Sequence, residues 1–120
     1  MNSYKDLEVW KKGRGLVKKI YQVTSRFPAG EQYGLVSQMR RAAVSIPANL
    51  AEGNARAFKK EYIHFVSIAF GSATELETLL LLASDLEFIS SDQFKELNDE
   101  IGSVLRMLNK LIQSLRNPSP

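Results

Sequence analysis

The stretch SSDQFKELNDEIGSVLRMLNKLIQSLR, residues 90–116, decides the fold class. Its apolar side chains recur alternately three and four positions apart, as in the seam along which one helix packs against others in a bundle. The seam residues are Phe94, Leu97, Ile101, Val104, Leu108, Leu111 and Leu115. Ser90, followed three positions later by Gln93, is typical of a capping box at a helix start. The sequence therefore predicts a helix over residues 91–116.

Three more helical segments precede this one. Periodic apolar residues indicate helices over residues 4–27, 31–55 and 58–86. The sequence shows no alternating strand pattern and no internal repeat. Four long helices with short connections predict an all-α protein, an antiparallel up-and-down four-helix bundle, in a single domain over residues 1–120.

The second segment contains a proline, Pro47, at a helical position. Proline removes one backbone hydrogen bond and crowds the carbonyl group four residues earlier, so we expect a kink or a local break near Ser45. Gly53 and Asn54 both tolerate a left-handed backbone, and we expect them to end this helix.

The third segment is apolar over more than half of its circumference. Only a narrow polar strip remains, formed by His64, Ser67, Gly71, Thr74 and Thr78. Two neighbouring helices cannot cover that much apolar surface. Either this helix is central in the domain, or its second face, including the run Leu79 to Leu82, is a subunit interface.

Composition narrows the class of protein. The 120 residues are 44% hydrophobic and 24% charged, which is typical of a packed globule and not of a disordered chain. The sequence has no cysteine, which excludes disulfides, thiolate zinc sites and iron–sulfur clusters. It has no signal-peptide pattern, and no run approaches the roughly 18 apolar residues of a membrane span. We therefore expect a cytoplasmic protein with no membrane partner.

Charge is divided unevenly along the chain. Residues 1–60 contain 12 Lys and Arg against 4 Asp and Glu, whereas residues 61–120 contain 4 against 9. The first helix carries a basic face made of Lys5, Lys11, Lys12, Arg14, Lys18, Lys19 and Arg26. Such a face is either an ordinary solvated surface or, repeated around an oligomer, a surface that binds phosphate backbones without sequence preference. No aromatic residues alternate with these cations as in base-stacking sites, so we do not predict sequence-specific recognition.

A second polar feature follows one side of the second segment. This polar stripe consists of Gln38, Arg41, Ser45, Asn49, Glu52 and Arg56, whose spacing places all six on one side of a helix. One interpretation is a groove for a ligand, a nucleic acid or a protein partner. The other is a structural seam that compensates for Pro47 and fixes the register of helices or subunits.

No catalytic or metal-binding motif is recognisable. Glu61 and His64 have the Glu-x-x-His spacing of di-iron bundles, but His64 is the only histidine, and one copy cannot build that site. No serine lies in a nucleophile-elbow pattern, and Gly13-Arg14-Gly15 does not follow a strand as a phosphate loop does. We therefore expect no enzymatic activity, no cofactor and no metal.

A set of short motifs extends over about residues 4–115. They are Leu7-Glu8-Val9-Trp10, Phe27-Pro28, Glu31, Tyr33-Gly34-Leu35, Gln38, Arg40-Arg41-Ala42, the run Ser45-Ile46-Pro47-Ala48-Asn49-Leu50-Ala51-Glu52-Gly53, Arg56, Gly71-Ser72 and Glu75-Leu76. Together they resemble the signature of the four-helix-bundle proteins encoded in intervening sequences of bacterial 23S rRNA genes. Ala57-Phe58 departs from that pattern, in which a small polar residue is expected at this point.

The resemblance implies a left-handed up-and-down bundle that assembles as a homopentamer. A similar group, the accessory variability proteins of diversity-generating retroelements, forms basic pentamers that bind nucleic acid and a reverse transcriptase. The leading hypothesis is a non-enzymatic homo-oligomer that binds RNA or DNA backbones through the basic face. The alternative is a structural or adaptor protein that forms a ring and docks a protein partner, without nucleic-acid binding.

Overall fold

A computed structural model describes residues 3–117, so the predicted domain limits at residues 1 and 120 lie outside the described residues. The helices are α1 (Glu8–Thr24), α2 (Ser37–Asn54), α3 (Lys59–Asp85) and α4 (Ser91–Arg116), and the described chain contains no strand. The prediction of an all-α protein with four helices is confirmed, and the arrangement is consistent with a four-helix bundle. The molecule measures 50 × 23 × 19 Å, so α3 and α4, at about 1.5 Å per residue, extend along most of its length.

The first element of the described residues is a short 3-10 helix, Tyr4–Asp6, and not the first turn of α1. Ser3 and Asp6 form the expected capping box around this turn. Leu7 then adopts an extended conformation (φ −70°, ψ 125°), which separates the turn from α1. The predicted helix over residues 4–27 is therefore wrong at both ends, since α1 ends at Thr24.

The predicted start of the second helix at residue 31 is also wrong. A 3-10 turn, Ala29–Glu31, is followed by a π-helical turn, Gln32–Val36, before α2 begins at Ser37. Gly34 has non-helical angles within this segment (φ −109°, ψ −108°). The Glu31 carboxylate accepts a hydrogen bond from the Leu35 amide at 3.3 Å. This side-chain acceptor replaces part of the backbone bonding that a regular helix start would supply.

Pro47 lies inside α2, which is continuous from Ser37 to Asn54. The local break considered near Ser45 does not occur, although the Asn49 amide group donates to the Ser45 carbonyl at 2.8 Å. The helix ends at Asn54, as expected, but neither Gly53 nor Asn54 has the left-handed backbone that was expected there. Gly53 is buried against α3 instead, and Ala55 ends the helix in the right-handed region.

One cluster of buried side chains joins the four helices. Its largest fully buried members are Leu16 and Ile20 from α1, Met39, Ile46 and Leu50 from α2, Leu76 and Leu80 from α3, and Ile101 and Leu108 from α4. Each helix packs against the next along the chain, and α1 packs against α4. Thr24 is the one buried polar side chain among residues 3–117. The remaining polar groups therefore lie at or near the surface.

Helix α3 packs between α2 and α4 and still exposes apolar side chains. Within the run of four leucines, Leu79 and Leu80 are buried, whereas Leu81 is 48% exposed and Leu82 44%. Ile68 and Leu86 are exposed too. The predicted polar strip through His64 and Thr78 faces solvent. The monomer thus leaves part of the second face of α3 uncovered.

By length and composition alone, α3 is long and apolar enough to cross a membrane, and 33% of its most apolar window is buried inside the protein. This finding corrects the sequence expectation that no segment approaches a span. Core helices of soluble proteins satisfy the same criterion, so it is weak evidence for a membrane location.

Candidate nucleic-acid interface

The basic face is divided between two sides of α1. Lys11, Arg14 and Lys18 are exposed, on the side of the helix opposite its buried residues Leu16 and Ile20. Lys12 and Lys19 are half-buried. Only the first three are therefore fully presented to a large ligand.

Lys5 and Arg26 lie outside α1. Lys5 belongs to the preceding 3-10 turn, where its amino group lies 6.0 Å from the centre of the Tyr4 ring. Arg26 follows the end of α1 and lines a depression of about 500 Å³ that also contains Lys19 and Glu96. The seven cations of the predicted basic face thus do not lie on one continuous helix, because α1 covers only Glu8–Thr24.

Lys19 is already paired with α4. Its amino group lies 3.5 Å from the Glu96 carboxylate and 2.6 Å from that of Glu100. Glu100 Oε2 is screened from solvent, which leaves Lys19 as its polar partner. The Lys19 pKa is raised above 10.5, chiefly by the hydrogen bond to Glu100 and against some desolvation. Lys19 therefore joins α1 to α4 and is less free to bind an external anion.

The other cations differ in how free they are. Lys11 forms a long, exposed ion pair with Glu8 at 3.7 Å. The Arg14 guanidinium lies over the Trp10 ring, 5.6 Å from its centre. Within residues 3–117, Lys12, Arg14 and Lys18 form no ion pair. These cations can meet a phosphate without first breaking an existing pair.

The polar stripe lies along the edge of α2 that faces α3. In its middle, Ser45 Oγ is 2.7 Å from Ser72 Oγ on α3, and Asn49 Nδ2 donates to Ser45 Oγ at 2.8 Å. At its end, Arg56 pairs with Glu52 at 2.8 Å within the same segment. These contacts give part of the stripe a structural role in joining α2 to α3.

The beginning of the stripe is open. Gln38 and Arg41 line a shallow cleft of about 460 Å³ together with Ser72 and Glu75 of α3. Arg41 and Glu75 form no ion pair within the described chain. The structure therefore brings these residues together, and both interpretations of the stripe keep some support.

Sequence reasoning missed the role of Arg40. Its guanidinium lies 4.4 Å from the centre of the Tyr21 ring, and its Nε donates to the buried Thr24 hydroxyl at 3.0 Å. This contact ties the end of α1 to the beginning of α2. It depends on the register between two helices, for which the sequence carries no local signal.

Sequence reasoning also missed a basic cluster at the connection between α2 and α3. Arg56, Lys59 and Lys60 are exposed there, and Phe58 between them is 71% exposed. The run Arg-Ala-Phe-Lys-Lys was the available signal.

Within residues 3–117, no group of three or more His, Asp or Glu side chains could hold a metal ion.

Comparison with known proteins identifies the family. The model of the 23S rRNA-intervening sequence protein family matches residues 5–110. The chain belongs to this family. The resemblance carried by the short motifs is thereby confirmed.

A solved structure shares the fold of this 23S rRNA-intervening sequence protein. It is a protein of unknown function from the S23 ribosomal protein family of Bacteroides thetaiotaomicron. The two chains are 23% identical, the match covers 88% of this chain and 95% of the other, and the TM-score is 0.82. A search of curated proteins gave no match. The comparisons thus establish family and fold, and they attach no activity to the basic face.

Proposed function

We propose that the protein is a non-enzymatic, homo-oligomeric helical bundle that binds RNA or DNA backbones through the basic face of α1. The observation that carries the proposal is the exposure of Lys11, Arg14 and Lys18 on one side of α1. Positive charges held on one rigid helix attract a phosphate backbone without reading its sequence. The cytoplasm, where nucleic acid is accessible, is the proposed location.

The proposed architecture is an antiparallel, left-handed, up-and-down bundle. Contacts between α1 and α2 support an antiparallel arrangement of these two helices. Gly13 faces Pro47, whereas Thr24, which comes later in α1, contacts Arg40, which comes earlier in α2. Contacts between α2 and α3 also support an antiparallel arrangement. Ser45 contacts Ser72, whereas Gly53, later in α2, contacts Phe65, earlier in α3.

The proposed assembly is a homopentamer. The exposed apolar residues Leu82 of α3 and Leu86, which follows the end of α3, support an interface between copies. A ring also repeats the basic face of each copy, so that one nucleic-acid strand can contact several copies at once. Multivalent contact raises the overall affinity far above that of one copy.

The experiment compares two pairs of charge-removing substitutions. Lys11→Gln with Lys18→Gln removes two exposed cations from α1, and Lys95→Gln with Arg106→Gln removes two exposed cations from α4. Affinity for a labelled mixed-sequence RNA is measured by fluorescence anisotropy over a series of salt concentrations. Each phosphate contact contributes about 0.7 to 0.9 to the slope of log affinity against log salt.

The α1 pair is expected to weaken binding several-fold and to reduce that slope by about 1.4 to 1.8 for each copy in contact. The α4 pair should bind like the unaltered protein, and circular dichroism should show full helicity in both. Equal binding by the two pairs would refute a role for α1. Lys19 is left unchanged because its loss would also break the contacts with Glu96 and Glu100.

A second candidate function is a structural or adaptor protein that docks a protein partner. It is favoured by a groove of about 560 Å³ whose lining includes Tyr21, Tyr33, Arg40 and Val44, in which Tyr33 is 97% exposed. An exposed aromatic beside an arginine is typical of protein interfaces. A partner bound in this groove should remain bound at about 0.5 M salt, at which backbone contacts to nucleic acid are largely lost.

A further inference from the structure

The connection between α2 and α3 forms a basic tip that contains an exposed aromatic side chain. We define this basic tip as Arg56, Phe58, Lys59 and Lys60. Phe58, which immediately precedes α3, is 71% exposed, more than any other large apolar residue of the described chain except Tyr33. Its backbone is extended (φ −112°, ψ 137°), and its side chain does not belong to the hydrophobic core cluster. The ring is therefore available to a ligand.

Arg56 of the basic tip also makes a cation–aromatic contact with α3. The Arg56 guanidinium lies 4.8 Å from the centre of the Phe65 ring, and the His64 ring meets the same phenyl ring edge-on at 5.6 Å. Arg56, Lys60, His64 and Phe65 line an open depression of about 420 Å³, together with Glu61. Flat rings and guanidinium planes next to ammonium groups suit a ligand with flat bases and negative phosphates.

Other cations extend this surface. The 3-10 turn that carries Lys5 packs against α2, and Gly13 of α1 faces Pro47 of α2, so the start of α1 lies beside the second half of α2. Lys11 and Lys12, near the start of α1, are therefore at the same end of the molecule as the basic tip. The acidic residues near this end are Asp6, Glu8, Glu52 and Glu61.

We propose that the basic tip is a binding site for single-stranded nucleic acid, in which Phe58 stacks on an unpaired base while Lys59 and Lys60 contact the adjacent phosphates. A base inside a duplex is already stacked on both sides and cannot reach Phe58. The tip therefore selects single strands, whereas the basic face of α1 accepts any phosphate backbone. This inference rests on the proposed nucleic-acid binding and adds the kind of nucleic acid that is preferred.

The experiment uses the full chain with Phe58→Ala and Phe58→Tyr. Binding is measured with a labelled single-stranded RNA of mixed sequence, with the corresponding RNA duplex, and with a single strand containing 2-aminopurine, whose fluorescence reports stacking. Tyr33→Ala is the matched control, since Tyr33 is also an exposed aromatic residue and lies before α2, at the end of that helix opposite the basic tip. Helicity and molar mass are recorded for every variant.

Phe58→Ala is expected to weaken single-strand binding by between about fivefold and a hundredfold and to abolish the 2-aminopurine signal. Duplex binding should change by less than about twofold, because only the aromatic ring has been removed. Phe58→Tyr, which keeps the ring, should bind like the unaltered protein, and Tyr33→Ala should have no effect on the binding of either RNA.

Unchanged single-strand binding by Phe58→Ala would overturn the inference, as would an equal loss for strand and duplex or a change in molar mass. If the unaltered protein binds both forms and Phe58→Ala has no effect, only the stacking site fails. If the unaltered protein binds neither form, the proposed function fails with it. Binding to anionic vesicles is measured in parallel. If Phe58→Ala loses vesicle binding and keeps RNA binding, Phe58 contacts a membrane surface and the inference is overturned.

Discussion

Gly53 of α2 lies directly against Phe65 of α3. A β-carbon built at Gly53 would be 2.7 Å from the Phe65 β-carbon and 3.2 Å from the Tyr62 carbonyl oxygen. Neither of these atoms is at the end of a flexible side chain. The approach of α2 to α3 therefore requires glycine at this position, although its backbone angles are accessible to any residue.

Gly53→Ala is expected to destabilise the protein by about 1 to 3 kcal/mol, because the two helices must separate to admit the methyl group. The measurement is thermal unfolding, with a fall of about 4 °C per kcal/mol. Gly15→Ala is the control, since nothing lies within 4 Å of a β-carbon there. It should raise stability by about 0.5 to 1 kcal/mol through helix propensity. Equal stability of the two variants would contradict the close approach.

Glu87 occupies a position that favours glycine. It is the only non-glycine residue with a positive φ in the described part of the chain, at 61°, and it follows the end of α3. The Phe88 amide donates to the Ala83 carbonyl and the Glu87 amide to that of Ser84, which is the Schellman pattern of a helix end. Glu87→Gly should therefore stabilise the protein by about 1 kcal/mol. Glu87→Ala, which keeps the β-carbon, should not, and a gain in both variants would refute the explanation by backbone strain.

The Lys19 pairs predict a dependence of stability on pH. The Lys19 pKa is higher in the folded protein than its ordinary value of 10.5, through its hydrogen bond to Glu100. The stabilisation is therefore complete below about pH 10.5 and is lost as the pH rises through the folded pKa. Because the side chain is 41% exposed, we expect at most about 1 kcal/mol.

The measurement is chemical denaturation of the protein and of Lys19→Gln between about pH 8 and pH 11.5. The difference in unfolding free energy should be constant up to about pH 10 and then shrink. Lys18→Gln is the control, because Lys18 is exposed and forms no ion pair within residues 3–117. The unfolding free energy of Lys18→Gln should stay close to that of the unaltered protein over the whole pH range. A Lys19→Gln difference that is as large at the highest pH as at pH 8 would show that charge is not its cause.

If the uncovered face of α3 is a subunit interface, a charge placed on it should dissociate the oligomer. Leu82→Glu places a charge on a residue that is 44% exposed in the monomer, so it should reduce the molar mass in solution while leaving helicity intact. Leu80→Ala is the contrasting variant. Leu80 is fully buried, and its truncation should cost about 2 to 5 kcal/mol of folding stability. Unchanged mass for a soluble, helical Leu82→Glu would exclude this residue from a subunit interface.

Much of the fold could be predicted from the sequence because its signals are local. The seam of α4 alternates three and four positions, and Ser90 with Gln93 forms the expected capping box. The segment between α1 and α2 could not be predicted in this way. Its π-helical turn depends on a side-chain acceptor, Glu31, and on the burial of Leu35 and Val36 against other helices.

The candidate site could be predicted only in part. Composition and spacing found the basic face, but the pairing of Lys19 with α4 depends on how two distant helices meet. The basic tip has a sequence signal, the alternation of Arg56, Phe58 and Lys59. Its significance appears only when Phe58 proves to be exposed and not part of the core.

The central claim is that an oligomer of this protein binds nucleic-acid backbones. The most direct test is size exclusion coupled to light scattering, with and without a mixed-sequence RNA, at low and at high salt. Our account predicts a single species of about five subunits that gains mass with RNA at low salt and not at high salt. A monomer whose mass is unchanged by RNA at either salt concentration would contradict both the assembly and the binding.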